Sequence, residues 1–382
     1  MPVSHARAEV SSLLEMLAGI TDPRDPRGIR HPLAAVLGTA AVATLAGATC
    51  YRELGSVAAD LPERLLRLLG ARWDHARQRF TAPSSATLRR VLIELDADEL
   101  DTAVGAWLRE HAACDQEGWV IALDGKDLHG SWNDEGRLVL FSAMTHRGEH
   151  QDAVVLGQIR VPEGTTETTQ VRALLEPIDI TGALVTADAA HTCAETARYL
   201  VEDKKADYLL TIKGNRSSLH AAAIAIGREL IGADPAHLHT ERGHGRINRW
   251  TTWSTGTGQA PSLPGLPGAS QLAVIRRDVA DLAGQPLSKE IVLVLTSRAR
   301  LTAAEITAHV RRHWGIENLE HRPRDTIWRE DDQQAYLGSG PRAMAALRNL
   351  ALGLFSIHGI TKITETVQAI GRRPTRAIPL IT

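Results

Sequence analysis

One pattern occurs twice in this chain and constrains its fold more than any other feature: a short apolar run that closes on an aspartate. The first run, 119–123, is followed by Asp124, and the second, 183–187, is followed by Asp188. A short apolar run bounded by turn residues predicts a buried strand. We expect both carboxylates at strand ends, where a side chain can face a cleft. Either copy alone also fits a surface acid at a strand-to-turn junction, because Asp and Gly favour turns.

Length, charge and cysteine content limit the classes of protein to which this chain can belong. The 382 residues are enough for two or three domains. With 43 basic and 45 acidic residues the formal charge is −2, so any polyanion must be bound by local clusters of basic side chains. The three cysteines lie far apart without metal-type spacing, which argues against a disulfide framework or a zinc site. We therefore expect a reducing, cytoplasmic location.

The uncharged segment 33–49 is the one stretch that resembles a membrane span. It consists mostly of Ala, Gly and Thr and falls short of the roughly 20 strongly apolar residues that a span needs. We interpret it as a buried Ala-rich helix and expect no membrane partner.

Hydrophobic periodicity divides the chain into four parts. The pattern is helical over 4–111, with Ser84 as a candidate N-cap. It then changes to strands at 119–124, 137–144, 153–159, 183–187 and 208–212, with helices at 168–175 and 194–204. Further strands at 246–253, 271–276 and 290–296 surround a Gly- and Pro-rich loop. Helices at 302–319, 341–358 and 362–370 close the chain.

These patterns predict a mixed α/β fold with an added helical domain. The predicted parts are a helical N-terminal domain with possible DNA binding at 1–115, the first part of the catalytic domain at 116–230, a β-rich insertion at 231–298, and a helical completion with C-terminal helices at 299–382.

A third acid, Glu317, lies on the late helix that Thr302 and Glu305 are predicted to cap. Carboxylates from three separate elements can hold one or two Mg²⁺ ions through oxygen ligands. Two such ions, on the order of 4 Å apart, stabilise the attacking and leaving oxygens of a phosphoryl displacement. Spacing alone does not select Glu317 over its acidic neighbours Glu320, Asp325 and Glu330.

Six short blocks, occurring in order, carry a resemblance to a known family. They are Ala122–Lys126, Thr186–Thr192, Asp207–Asn215, Gly243–Ile247, His313–Asn318 and Leu347–Leu352. Together they resemble the DDE transposases of the ISAs insertion-sequence family, also called H-repeat-associated proteins. The N-terminal part, with Asp22–Arg24 and Arg30–Leu33, resembles the helical domain that precedes the catalytic domain there. The resemblance covers nearly the whole chain, and the combination of blocks is specific although each block alone is weak.

The resemblance implies an RNase H-like catalytic core. Its first strand would supply Asp124, its fourth Asp188, and the helix after the β-rich insertion Glu317, as catalytic and metal-binding acids. The implied cofactor is Mg²⁺ or Mn²⁺, as two ions. One ion would help to deprotonate a water or a DNA 3′-hydroxyl while the other neutralises charge on the scissile phosphate and the leaving oxygen.

The resemblance also implies a reaction and its partners. The reaction would cleave and join strands at the inverted-repeat ends of an insertion sequence. The partners would be double-stranded DNA, both element ends and target, and a second copy of the chain, because two DNA ends must be brought together. The protein would then be nucleoid-associated when bound to DNA.

Several polar residues near these acids or in basic clusters are candidate DNA contacts. They are Lys126, His191, Lys213, Asn215, His244, Arg246, Arg312, His313 and Arg324. For each, an ordinary solvated or capping side chain is the competing interpretation. Trp314, beside the third acid, is interpreted as core packing.

Three departures from the family pattern keep other functions open. His313 stands where related transposases often have arginine, and Glu167 follows a threonine where they have asparagine. Pro323 is expected to end or kink the helix just past Glu317. The alternatives are therefore a catalytically weakened or domesticated DNA-binding copy and, as a third class, a metal-dependent nuclease unrelated to mobile DNA.

Overall fold

The computed structural model describes residues 12–114, 118–133, 136–148, 151–243, 245–256, 265–333 and 335–382. Its first part is mainly helical, as predicted. The helices are α1 (Ser12–Ala18), α2 (Leu33–Leu45), α3 (Tyr51–Ala59), α4 (Glu63–Leu68), α5 (Ser85–Glu94) and α6 (Ala97–His111). The Ser84 hydroxyl accepts a hydrogen bond from the Thr87 backbone N–H, which confirms the predicted cap. A small hairpin of β1 (Arg72–Asp74) and β2 (Arg79–Thr81) interrupts these helices and was not predicted.

Helix α2 is the Ala-rich segment and is buried along almost its whole length. Its small side chains allow neighbouring helices to approach closely, and α1 packs directly against it. Among the described residues, no helix combines the length and apolar character needed to cross a membrane. The prediction of a buried helix at this position is confirmed.

A nine-stranded mixed sheet forms the centre of the molecule. Its strands are β3 (Val120–Asn133), β4 (Gly136–Thr145), β5 (Val155–Val161), β6 (Leu184–Ala187), β7 (Asp207–Ile212), β8 (His237–Gly243), β9 (Arg246–Gly256), β10 (Gln271–Asp281) and β11 (Pro286–Thr296). Across the sheet they are ordered β5-β4-β3-β6-β7-β11-β10-β9-β8. Strands β3, β4 and β5 form an antiparallel meander, and β6 and β7 run parallel to β3. This mixed α/β topology is that of an RNase H-like core, which confirms the predicted fold class.

The four strands from β8 to β11 extend the same sheet. Strand β11 pairs antiparallel with β7, with Leu293 opposite Ile212, and the other three continue outward. Strand β8 was not predicted, because its alternation of His, Thr, Glu and Arg carries almost no apolar signal. The boundaries of the insertion at 231 and 298 stay a prediction.

Helices cover the sheet and close the chain. They are α7 (Glu167–Leu175), α8 (Ala194–Arg198), α9 (Ser217–Ile231), α10 (Ala303–His313), α11 (Arg322–Thr326), α12 (Gly340–Ile357), α13 (Ile363–Arg372) and α14 (Ile378–Ile381). Thr302 and Glu305 form the capping box expected at the start of α10. Helix α9 was not predicted. Helix α12 is almost entirely buried and packs against α2, α5 and α6, so N-terminal helices, C-terminal helices and sheet share one hydrophobic core.

Candidate active site

Asp124 and Asp188 occupy corresponding positions on two adjacent parallel strands. The pairing of β3 with β6 ends at Leu123 opposite Ala187, and each aspartate is the next residue along its strand. The prediction of a strand end holds for Asp188, whose carboxylate accepts a hydrogen bond from the Ala190 N–H at 2.9 Å. It is wrong for Asp124, because β3 continues to Asn133 through its pairing with β4.

Glu317 reaches the site through an irregular helical segment. Helix α10 ends at His313, and a π turn covers Glu317–His321, in which the Arg322 N–H bonds the Glu317 carbonyl. The predicted single helix to residue 319 is therefore interrupted. Pro323 lies at the start of α11 directly after this turn. Helix α11 continues through Pro323 to Thr326, so the proline does not end the helical course; the π turn before it already departs from the bonding pattern that proline disrupts.

The three predicted acids line one cavity of about 240 Å³, together with Lys213 and His313. Ligand atoms of Asp124, Glu317 and a further residue, His321, all lie within 4.8 Å of one another. Asp188 lines the same cavity but lies outside this closer set. The site thus brings the predicted acids together and adds His321, which the sequence analysis did not select.

The carboxyl group of Asp124 has an unusual environment. Its pKa is raised to about 7, chiefly by burial; the hydrogen bond from the Gly125 N–H lowers the pKa, and the nearby charges of Glu167, Glu317 and Glu320 raise it. A cluster of carboxylates that resists full ionisation favours a bound cation, which removes the repulsion among them.

Glu167 is a second residue that the sequence analysis did not place in the site. Its carboxylate lies directly beside the backbone of Gly125, where a Cβ atom would meet Oε1 at 1.7 Å. It also lies 3.7 Å from Nε2 of His191. The pair Thr166–Glu167, noted as a partial family match, was the signal that pointed to this position.

Lys126 and Arg324 were predicted to contact DNA, and the structure does not fit this prediction. The side chain of Lys126 is 6% exposed, and its Nζ lies 2.8 Å from the Asp325 carboxylate and 3.4 Å from that of Asp331. Arg324 is fully buried and pairs with Glu320 at 2.8 Å and Glu330 at 2.7 Å. Both cations are enclosed and already paired with carboxylates, so they stabilise the region around the site from within.

A buried ion network extends from the site to the N-terminal helices. Arg324 joins Glu320 to Glu330, and Arg348 on α12 pairs with Glu330 at 2.5 Å. Arg348 also donates to the backbone carbonyl of Thr49 at 3.2 Å. The network therefore connects the helical segment of Glu317 to the segment after α2.

Two of the three histidines predicted to contact DNA, His191 and His313, are enclosed as well. His191 is buried and stacks on Phe141, with ring centroids 5.2 Å apart. His313 is partly buried, and its Nδ1 lies 2.9 Å from the Thr186 hydroxyl. Burial lowers the pKa of His313 to about 4, so its ring is neutral near pH 7. The neutral ring of His313 therefore offers no positive charge to a phosphate.

The remaining candidates for DNA contact lie at the surface. Lys213, Asn215, Arg246 and Arg312 are exposed. The Asn215 side-chain amide also donates to the Ala189 carbonyl at 2.7 Å, which fixes the loop after β7 near the loop after β6. His244 lies outside the described residues.

Trp314, beside the third acid, was interpreted as core packing, and this interpretation is wrong. The residue is 47% exposed at the rim of the cavity. The guanidinium of Arg277 lies 5.3 Å from the centre of its ring and 5.0 Å from the Trp250 ring. The rim therefore combines an exposed aromatic face with arginine.

Two known families match this chain along most of its length. Residues 115–354 match the family described as Transposase DDE domain, and residues 14–108 match the family described as DDE_Tnp_1-associated. The chain is 26% identical to "Putative transposase YncI" of Escherichia coli O157:H7 over 358 residues, which cover 90% of this chain and 87% of that protein. It is 25% identical to "H repeat-associated putative transposase YhhI" of Escherichia coli strain K12, with 91% of each chain covered. A solved structure of a piggyBac transposase synaptic complex with hairpin DNA aligns with a TM-score of 0.43 and 9% identity, covering 97% of this chain and 79% of that one.

Proposed function

The chain belongs to the DDE transposases, and from this premise we propose that it cleaves and joins DNA strands at the inverted-repeat ends of an insertion sequence. The observation that carries the proposal is the meeting of Asp124, Asp188 and Glu317 in one cavity, although they come from two strands and a distant helical segment. Oxygen ligands converging from separate elements are the arrangement that phosphoryl-transfer sites with divalent ions use.

The donor set suits Mg²⁺ or Mn²⁺, as two ions. Asp124, Asp188 and Glu317 would hold them; the pKa of Asp124 is raised to about 7 chiefly by burial, with a smaller contribution from the neighbouring carboxylates. When bound, such ions stabilise charge on the attacking and leaving oxygens of a phosphate diester. Asp188 is exposed and Asp124 is only partly buried, so the cavity is open to a substrate as large as DNA.

The chain's own residues would position the DNA. Lys213 lines the cavity, and the exposed Arg246 and Arg312 offer further charges to backbone phosphates. Trp314 at the rim presents an aromatic face on which an unpaired base can stack. We propose that two copies of the chain act together, because each copy has one such cavity in its described part and two DNA ends must be processed.

The test uses a duplex that carries the inverted repeat of the flanking element. The full chain with Mg²⁺ or Mn²⁺ is expected to nick this duplex at the repeat end and to join the end to a target plasmid. Asp124→Asn, Asp188→Asn and Glu317→Gln should each reduce cleavage by at least 10³-fold, on the order expected when a metal-dependent site loses a ligand. Glu365→Gln, which changes an exposed acid on α13, should leave cleavage unchanged.

Three other results would contradict the proposal. Tight binding of the repeat without cleavage would indicate a domesticated DNA-binding protein. Hydrolysis of any DNA, without preference for the repeat, would indicate a general nuclease. A monomer bound to each end duplex, seen by light scattering, would contradict the proposed dimer.

A further inference from the structure

His321 lies against the proposed acids in an orientation that an imidazole ligand would need. Its Nδ1 is 3.6 Å from Oδ2 of Asp124, and its side chain is only 9% exposed. Ligand atoms of Asp124, Glu317 and His321 lie within 4.8 Å of one another, which is the spacing of donors around a single cation. A purely oxygen-based site has no requirement for a buried ring at this position.

The other ring nitrogen of His321, Nε2, faces a carboxylate oxygen of Glu320. Nε2 of His321 and Oε2 of Glu320 are both buried, and neither has a hydrogen-bond partner among the described residues. They lie 3.8 Å apart, so a small rotation of the ring would allow the Nε2–H to donate to this oxygen. A histidine that donates one N–H to a carboxylate presents the lone pair of its other nitrogen, as in carboxylate–histidine–metal arrangements.

Glu320 is itself held in place. Its Oε1 accepts hydrogen bonds from the Ser142 hydroxyl at 3.0 Å and from Arg324 at 2.8 Å. The carboxylate therefore has a fixed position and one free oxygen directed at His321. Arg324 also pairs with Glu330, and Glu330 pairs with Arg348. The buried ion network therefore holds Glu320 in place and, through Glu320, supports the His321 ring.

We propose that Nδ1 of His321 is an additional metal ligand beside Asp124 and Glu317, and that Glu320 is the positioning residue that orients the ring. The proposal rests on the proposed function, since it concerns the same acids, Asp124 and Glu317. A site with one imidazole nitrogen favours Mn²⁺ over Mg²⁺, because Mg²⁺ prefers oxygen ligands and imidazole suits transition metals better. The competing arrangement is one in which Nδ1–H donates to Asp124 and the ring binds no metal.

Pulsed electron paramagnetic resonance of Mn²⁺ bound to the full chain, without DNA, distinguishes the two. A directly bound imidazole gives a ¹⁴N modulation of the Mn²⁺ signal, which is expected in the wild type. Growth with ¹⁵N-histidine should replace this modulation with the ¹⁵N pattern without changing any residue. His321→Gln should abolish the modulation and reduce the preference for Mn²⁺ over Mg²⁺ by about tenfold or more. His111→Gln, a change on α6 where the ring stacks on Trp107, is the matched control and should leave both unchanged.

The outcomes separate this inference from the proposed function. Mn²⁺ binding that Asp124→Asn abolishes, but that carries no nitrogen modulation, would overturn the role of His321 and leave the proposed site intact. Absence of any Mn²⁺ binding sensitive to Asp124→Asn would overturn both. If His321→Gln does not fold, Glu320→Gln tests the same point. A ring without its carboxylate partner should bind Mn²⁺ with a weaker nitrogen modulation. An unchanged modulation would exclude the positioning role of Glu320.

Discussion

The ammonium group of Lys126 lies 2.8 Å from the carboxylate of Asp325, a residue 199 positions further along the chain. Lys126 projects from β3, two residues past Asp124, and Asp325 projects from α11, just after the segment that carries Glu317. The ion pair thus fixes the strand of one proposed metal ligand to the helix that follows another. Lys126, a basic side chain next to the site, thus joins two parts of the protein through an internal ion pair.

Replacing Lys126 should therefore change stability rather than DNA binding. Lys126→Met leaves Asp325 and Asp331 facing each other without their cation, and we expect the free energy of unfolding to fall by about 2–4 kcal/mol. Urea denaturation measures this loss. Lys213→Met, at an exposed lysine that lines the cavity of the three acids, is the matched control and should change stability by no more than about 0.5 kcal/mol. Unaltered stability of Lys126→Met with weakened DNA affinity would instead support a contact with phosphate.

Replacing Arg324 should lower the free energy of unfolding more than replacing Lys126 does. Arg324→Met leaves the buried carboxylates of Glu320 and Glu330 without their shared cation, which should lower the free energy of unfolding by about 3–5 kcal/mol. Arg322→Met, two residues earlier in α11 and exposed, should have almost no effect. Combining Arg324→Met with Glu320→Gln should cost less than the sum of the single losses, because the two side chains interact directly. Additive losses would show that the pair is not coupled.

The raised pKa of Asp124 predicts a pH dependence of stability in the absence of metal. With a folded-state pKa of about 7, against about 4 in the unfolded chain, the folded protein retains a proton between these values that the unfolded chain has released. The contribution of Asp124 to stability is therefore full below pH 4, decreases as the pH rises, and levels off above about 7. Asp124→Asn removes this contribution, so the variant should gain stability relative to the wild type between pH 5 and pH 8. Parallel denaturation curves in EDTA across this range would contradict the prediction.

The contrast between Arg312 and His313 predicts how DNA binding depends on salt. Arg312 is exposed and always charged, whereas the pKa of His313 is lowered to about 4 by burial. If Arg312 neutralises one phosphate, Arg312→Gln should reduce the slope of log affinity against log salt by about 0.9. His313→Gln should leave the slope unchanged. Fluorescence anisotropy with the end duplex at several salt concentrations measures both slopes, and a reduced slope in His313→Gln would show that the ring is charged on DNA.

The sequence was sufficient for the core strands and for the two candidate aspartates, Asp124 and Asp188, because both depend on local pattern. The apolar runs before Asp124 and Asp188 predict strands directly. The parallel pairing of these two strands, β3 and β6, is a property of the whole fold. The family resemblance was needed for Glu317, since nothing local distinguishes it from Glu320. Burial of charge was beyond sequence reasoning: Lys126 and Arg324 look like surface cations until the distant carboxylates that neutralise them are brought into contact.

Elements without a clear apolar period were missed for a related reason. Strand β8 carries polar residues on both faces, so neither period 2 nor period 3.6 stands out. The continuation of β3 beyond Asp124 depends on its hairpin with β4, since Gly125 and Lys126 alone indicate a turn. His321 lies in the π turn, and Glu167 lies at the start of α7. Tertiary packing, which local sequence does not reveal, places both residues at the site.

The packing of α12 against α2 has a consequence for how the protein is made. Helix α2 is complete after residue 45, but the partner that covers it begins at residue 340, near the end of translation. A nascent chain leaving the ribosome at roughly 5–20 residues per second would expose the apolar face of α2 that α12 covers for tens of seconds. A chain truncated before α12 would leave this face of α2 exposed, and exposed apolar surface in an incompletely folded chain favours aggregation.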